Sequence, residues 1–160
     1  MDHQAFAQLL GNYGEFVGAI AVVATLFYLA SQIRMSAQMA ATGSRQTVLD
    51  RFSTIKISLT ANPHAIAAIN KAADEGVAYD ALTKEEQGVL FPVISSFADN
   101  LYNAIRLRDE GILDEEAFEY ISRSFCEFCT TAAGRTWWES QYSLYAPETL
   151  KQFVESRIDQ

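Results

Sequence analysis

From Phe16 to Ile33 the chain reads FVGAIAVVATLFYLASQI, eighteen residues without a charge, and the charged positions resume at Arg34. The run is apolar on all sides from Phe16 to Ala30, with only Thr25 interrupting. As a helix it spans about 27 Å at roughly 1.5 Å per residue, close to the ~30 Å hydrocarbon core of a bilayer. Tyr13 and Tyr28 lie near its ends, where amphipathic rings favour the membrane interface. A buried core helix is the plainer alternative, but a domain this small seldom surrounds a helix completely. A signal peptide needs basic residues ahead of the run, and MDHQAFAQLL has none. Tyr28-Leu29-Ala30 also sets a bulky ring where a cleavage site needs a small residue. The pattern predicts a transmembrane helix over residues 16–33.

Beyond the run the periodicity is helical, with no alternating β-branched stretch. Residues 34–46 favour a helical stalk, with Thr42-Gly43-Ser44 as a point of possible interruption. Val48, Phe52, Ile55 and Leu59 recur at four, three and four, and this amphipathic helix stops before Asn62-Pro63. A short helix follows through Ile66 and Ile69. Thr83-Lys84-Glu85-Glu86 reads as a capping box that starts a helix striped by Leu90, Ile94, Phe97, Leu101 and Ile105. Pro92 should kink that helix, and Gly111 should stop it. Asp114 caps the next, which carries Phe118, Ile121, Phe125, Phe128 and Ala132, with Gly134 as its stop. A shorter helix holds Trp137, Trp138, Tyr142 and Leu144, and Pro147 opens a last one.

Charge adds an orientation. The net charge of −8 is unevenly spread. Residues 34–71 set Arg34, Arg45, Arg51, Lys56 and Lys71 against Asp50 alone, whereas residues 72–160 hold seven basic and seventeen acidic residues. Basic residues that follow a span place the C-terminal domain in the cytoplasm and the short acidic N-terminus outside. The belt at residues 34–56 suits an anionic lipid surface. The acidic remainder repels phosphates and argues against nucleic acid.

The span has one small face: Gly11, Gly14, Gly18, Ala21 and Thr25 form a single stripe. Gly14, Gly18 and Ala21 are therefore expected to pack against another helix, in a second copy or in a protein partner.

Recognisable chemistry is sparse. Cys126-Glu127-Phe128-Cys129 has the spacing of a redox pair or half a zinc site. The only histidines are His3 and His64, too few to complete a zinc site. The pair also lies well inside a predicted helix, where no free amides lower a thiol pKa. Glu-x-x-His pairs, a G-x-S-x-G elbow, a Walker loop and a dinucleotide fingerprint are all missing. No catalytic residue, metal or cofactor is assigned. Asp99, Asn100, Asn103 and Arg106 read as a solvated helix face or a polar network in the bundle. Trp137 and Trp138 point about 100° apart on a helix, so one can fill the core while the other reaches a partner. With Arg135 beside them they have the composition of a protein-interaction hot spot, and core packing of both rings is the alternative.

GEFVGAIAVVATLFYLASQIR, the Asn-Pro break, FADNLYNAIRLRDEGILDEE and GRTWWES follow one another in this order. Together they resemble a broad uncharacterised bacterial family with one N-terminal transmembrane helix, a small helical domain and a Gly-Arg-x-Trp-Trp signature. The signature falls on Gly134, Arg135, Trp137 and Trp138. The resemblance implies an architecture and a bacterial inner membrane, and no activity.

The expected fold is all-α, a single N-terminal transmembrane helix followed by a small four- to five-helix bundle. Residues 1–15 form an extracytoplasmic N-terminus, 16–33 the span, 34–61 a stalk with the first amphipathic helix, and 62–160 the cytoplasmic bundle. The expected function is that of a non-enzymatic accessory subunit or protein-interaction scaffold. The alternative is a membrane-tethered sensor that binds a small ligand in the bundle near Pro92 and Asn103.

Overall fold

The computed structural model describes residues 3–74 and 76–158. Six α-helices account for most of them, and no strand occurs among the described residues. In chain order these are α1 (His3–Thr60), α2 (Pro63–Asp74), α3 (Lys84–Asp109), α4 (Glu115–Thr130), α5 (Ala132–Trp137) and α6 (Glu148–Ile158). A 3-10 turn, Tyr79–Ala81, precedes α3, and a π-helical turn, Trp138–Tyr142, follows α5. Helical structure continues through Gly43, so Thr42-Gly43-Ser44 does not interrupt α1.

The chain forms two compact units, Met1–Thr42 and Gly43–Gln160. The first consists of the N-terminal part of α1. Its side chains from Gly11 to Ser31 are all exposed, among them Phe16 at 65% and Phe27 at 75%. Thr25 donates its hydroxyl proton to the carbonyl of Ala21 at 2.8 Å, so this hydroxyl inside the apolar run is satisfied within the helix.

The second unit is a helical bundle with one apolar core. Val48 and Phe52 enter it from α1, Ala68 and Ala72 from α2, and Leu90, Ile94, Leu101 and Ile105 from α3. Opposite them stand Phe118, Ile121 and Phe125 of α4, Trp137 of α5, Trp138, and Leu150 and Val154 of α6. Each large side chain so buried contributes roughly 1.5–3 kcal/mol over leaving it in water.

Local signals set the helix ends. Asn62 accepts from the amides of His64 and Ala65 at 3.0 and 3.2 Å and so starts α2. The capping box of α3 is complete: Thr83 Oγ1 accepts from the Glu86 amide at 3.2 Å, and the Glu86 carboxylate accepts from the Thr83 amide at 2.7 Å. Helix α3 runs through Pro92 without a break, and the Ser96 hydroxyl donates to the Pro92 carbonyl at 2.7 Å. Gly111, at φ +71°, turns the chain out of α3 through a left-handed conformation open to glycine. Asp114 caps α4 by accepting from the Ala117 amide at 2.8 Å.

The end of α4 corrects the reading of Gly134 as a helix stop. Thr131, in extended conformation, ends α4 and caps α5. Its hydroxyl donates to the Phe128 carbonyl at 2.7 Å and accepts from the Gly134 amide at 3.1 Å. Gly134 therefore lies inside the following helix, buried against the last turn of α4.

Candidate functional site

The bundle carries an apolar cleft of about 230 Å3 at the meeting of four helices. Lys56 and Leu59 of α1, Ile69 of α2, Val93, Ile94 and Phe97 of α3, and Ser124, Phe125 and Phe128 of α4 line it. Leu59 of α1 and Ile69 of α2 are medium-sized aliphatic side chains, and Phe97 of α3 with Phe125 and Phe128 of α4 line the cleft with them. Leu59, Ile69, Val93, Phe97 and Phe128 are only half-buried, so the core leaves their apolar surface open to the cleft. Among the described lining residues Lys56 alone is charged. Its ammonium lies 5.4 Å from the centroid of the Phe52 ring and 5.5 Å from that of Tyr120, within cation–π range of both.

The neighbourhood of Pro92 and that of Asn103, expected to form one ligand site, border two separate depressions. Val93 and Phe97, just beyond Pro92, line the cleft, but Asn103 faces a different, polar depression with Arg51, Arg106 and Glu110. The reason is helical periodicity: Phe97 and Asn103 are six residues apart and fall on different faces.

Asp99, Asn100, Asn103 and Arg106 form no single network. Asn100 is buried and donates to the Val48 carbonyl at 3.3 Å, which ties α3 to α1. Asp99 accepts a hydrogen bond from the Tyr142 hydroxyl, which ties α3 to the π-helical turn. Burial, with the Asp99 carboxylate beside it, pushes the Tyr142 hydroxyl well above the usual tyrosine range. Asn103 donates to the carbonyl of Asp99 on its own helix, and Arg106 pairs with Glu110 at 3.7 Å.

Trp137 and Trp138 are both buried, at 0% and 2% exposure, which corrects their expected place at a protein-interaction surface. The π-helical turn after α5 brings both rings inward: Trp137 stacks on Tyr142 at 5.0 Å, and Phe125 meets Trp137 and Trp138 edge-on at 6.3 and 6.2 Å. Arg135 is exposed. Gly14, Gly18 and Ala21 are exposed along the first unit, and a Cβ on either glycine would meet nothing within 4 Å.

The cysteines are not disulfide-bonded. Burial pushes the Cys126 thiol up to about 11 and the Cys129 thiol higher still. Thiols in that state are poor nucleophiles at neutral pH. No group of three or more His, Cys, Asp or Glu side chains able to hold a metal ion occurs among the described residues.

The basic residues expected at an anionic surface differ in their engagement. Arg45 pairs with Asp114 at 2.5 Å, Lys71 with Glu86 at 3.0 Å, and Arg34 and Arg51 are exposed.

The fold and these sites define a helical protein with one long, apolar N-terminal helix. No family model matches the chain, and no curated protein or solved structure matches it significantly.

Proposed function

We propose that this chain is a single-pass membrane protein whose helical domain serves as a non-enzymatic accessory subunit or protein-interaction scaffold. One observation carries the reading. Helix α1 contains a window of mean hydropathy 2.0, long enough to cross a bilayer and with none of its surface buried. Exposed apolar area of this extent is unfavourable in water and favourable in hydrocarbon, where the helix also satisfies its own backbone. The helix enters the bilayer over residues 16–33, with Arg34 at the cytoplasmic edge and the acidic N-terminus outside. The resemblance to a bacterial family of this architecture supports the inner membrane as its location. The exposed basic residues Arg34 and Arg51 suit contact with anionic lipid. The exposed glycines Gly14 and Gly18, with Ala21, suit contact with a second helix.

The experiment is a topology assay in bacterial cells. The chain is expected to stay in the membrane fraction after alkaline carbonate washing. A C-terminal alkaline phosphatase fusion should be inactive, and a C-terminal fluorescent fusion bright. Release by carbonate would overturn the anchor, and phosphatase activity would overturn the orientation.

A further inference from the structure

We propose that the apolar cleft between α1, α2, α3 and α4 binds the anion of a single-chain, medium-length fatty acid. The alkyl chain lies among Ile69, Val93, Phe97 and Phe128, and the carboxylate meets the ammonium of Lys56.

Three observations converge on this ligand. The lining is apolar apart from Lys56 and the Ser124 hydroxyl, so the buried part of the ligand is hydrocarbon. The volume, about 230 Å3, falls below the ~300 Å3 at which pockets for drug-sized ligands begin. That suits one short alkyl chain. The charged residue of the lining is a cation without a counter-ion: Lys56 takes part in no ion pair or hydrogen bond among the described residues. The Phe52 and Tyr120 rings restrain its ammonium while its three N–H donors stay unbonded. A carboxylate supplies acceptors for those donors, and the charge-assisted bond is stronger than a neutral one. Ser124, also on the lining and without a side-chain hydrogen bond among the described residues, can donate to the same carboxylate.

The test uses the full chain in phosphatidylcholine nanodiscs and a decanoic acid that carries a diazirine near its methyl end. After photolysis, peptide mapping is expected to find label on the peptides that hold Phe97 and Phe128, and unlabelled decanoate should suppress it. Lys56→Met keeps the aliphatic stem and is expected to lower that label about tenfold, the scale of one lost charge-assisted hydrogen bond. Lys56→Arg should retain it. The matching diazirine alcohol should label the cleft no better than the acid labels Lys56→Met. Val93→Trp, which fills the cleft, should remove the label from a chain whose helical circular dichroism is unchanged. Label confined to residues 11–33 would show the probe in the bilayer only; it would overturn the cleft site and leave the membrane anchor standing. Equal labelling of the native chain and Lys56→Met, or by acid and alcohol, would overturn the carboxylate assignment.

Discussion

A Cβ placed on Gly134 would stand 2.0 Å from the carbonyl oxygen of Phe128 and 2.8 Å from the Cα of Cys129. Helix α5 therefore packs backbone to backbone on the end of α4, and only glycine allows it. The order Gly134, Arg135, Thr136, Trp137, Trp138 gains a physical reading from this contact. The glycine permits the close approach, and Trp137 and Trp138, which follow it, are buried in the core.

Gly134→Ala is accordingly expected to destabilise the bundle by about 3 kcal/mol or more, because the atoms in the way are backbone and cannot rotate aside. Thermal melts followed by tryptophan fluorescence would measure it, since both indoles lie beside the contact. Gly88→Ala, at an exposed glycine with open space around it, is the control and should leave the melting temperature within a few degrees or raise it.

Stability should fall in acid in a way that Glu86 controls. The Thr83 amide, first, and then the Lys71 ammonium and the Thr83 hydroxyl hold its carboxyl below the ordinary 4.5 in the folded chain. A depressed folded pKa means that the stabilisation is fully present above the unfolded value and is lost as pH falls through the folded one. Glu86→Gln can still complete the capping box but loses the charge. The variant should be less stable than the native chain at pH 7 and show a shallower decline below pH 4.5. Urea midpoints across that range would show whether the two curves converge in acid.

Cys126 and Cys129 should resist alkylation in the folded protein. A thiol pushed from 9.0 to about 11 holds about one hundredth of the thiolate at pH 8, so Cys126 should react with iodoacetamide about a hundredfold more slowly than in denaturant. Cys129, more deeply buried, should be slower still. Mass spectrometry of timed samples would give both rates. Fast labelling of Cys129 in the folded chain would remove its assignment to the core.

The small stripe of α1 makes the proposed membrane span a packing surface if it meets another copy. Energy transfer between donor- and acceptor-labelled chains in vesicles is then expected. Gly14→Leu combined with Gly18→Leu should reduce the dimer fraction about tenfold by holding the backbones apart. Unchanged transfer would leave the segment as an anchor alone.

Much of the fold was readable locally. Thr83, Asp114 and Gly111 act on amides and carbonyls close by in the chain, so their capping roles follow from their neighbours. The stripes of α3 and α4 likewise follow from helical spacing, because each residue's face is set by its own helix. The apolar character of residues 16–33 is a property of composition alone.

What depended on distant residues could be decided only by the tertiary structure. Whether Gly134 ends a helix or sits inside one rested on how closely α5 approaches α4, which no local pattern encodes. The fate of the two tryptophans turned on the π-helical turn from Trp138 to Tyr142, anchored by Asp99 more than forty residues earlier in the chain. The cleft belongs to four helices at once, and Lys56 reads as one more basic residue until Phe52, Tyr120 and the lining phenylalanines are placed around it. Short-range hydrogen bonds and periodicity are written in consecutive residues. Close packing and cavities arise between surfaces that only the folded bundle brings together.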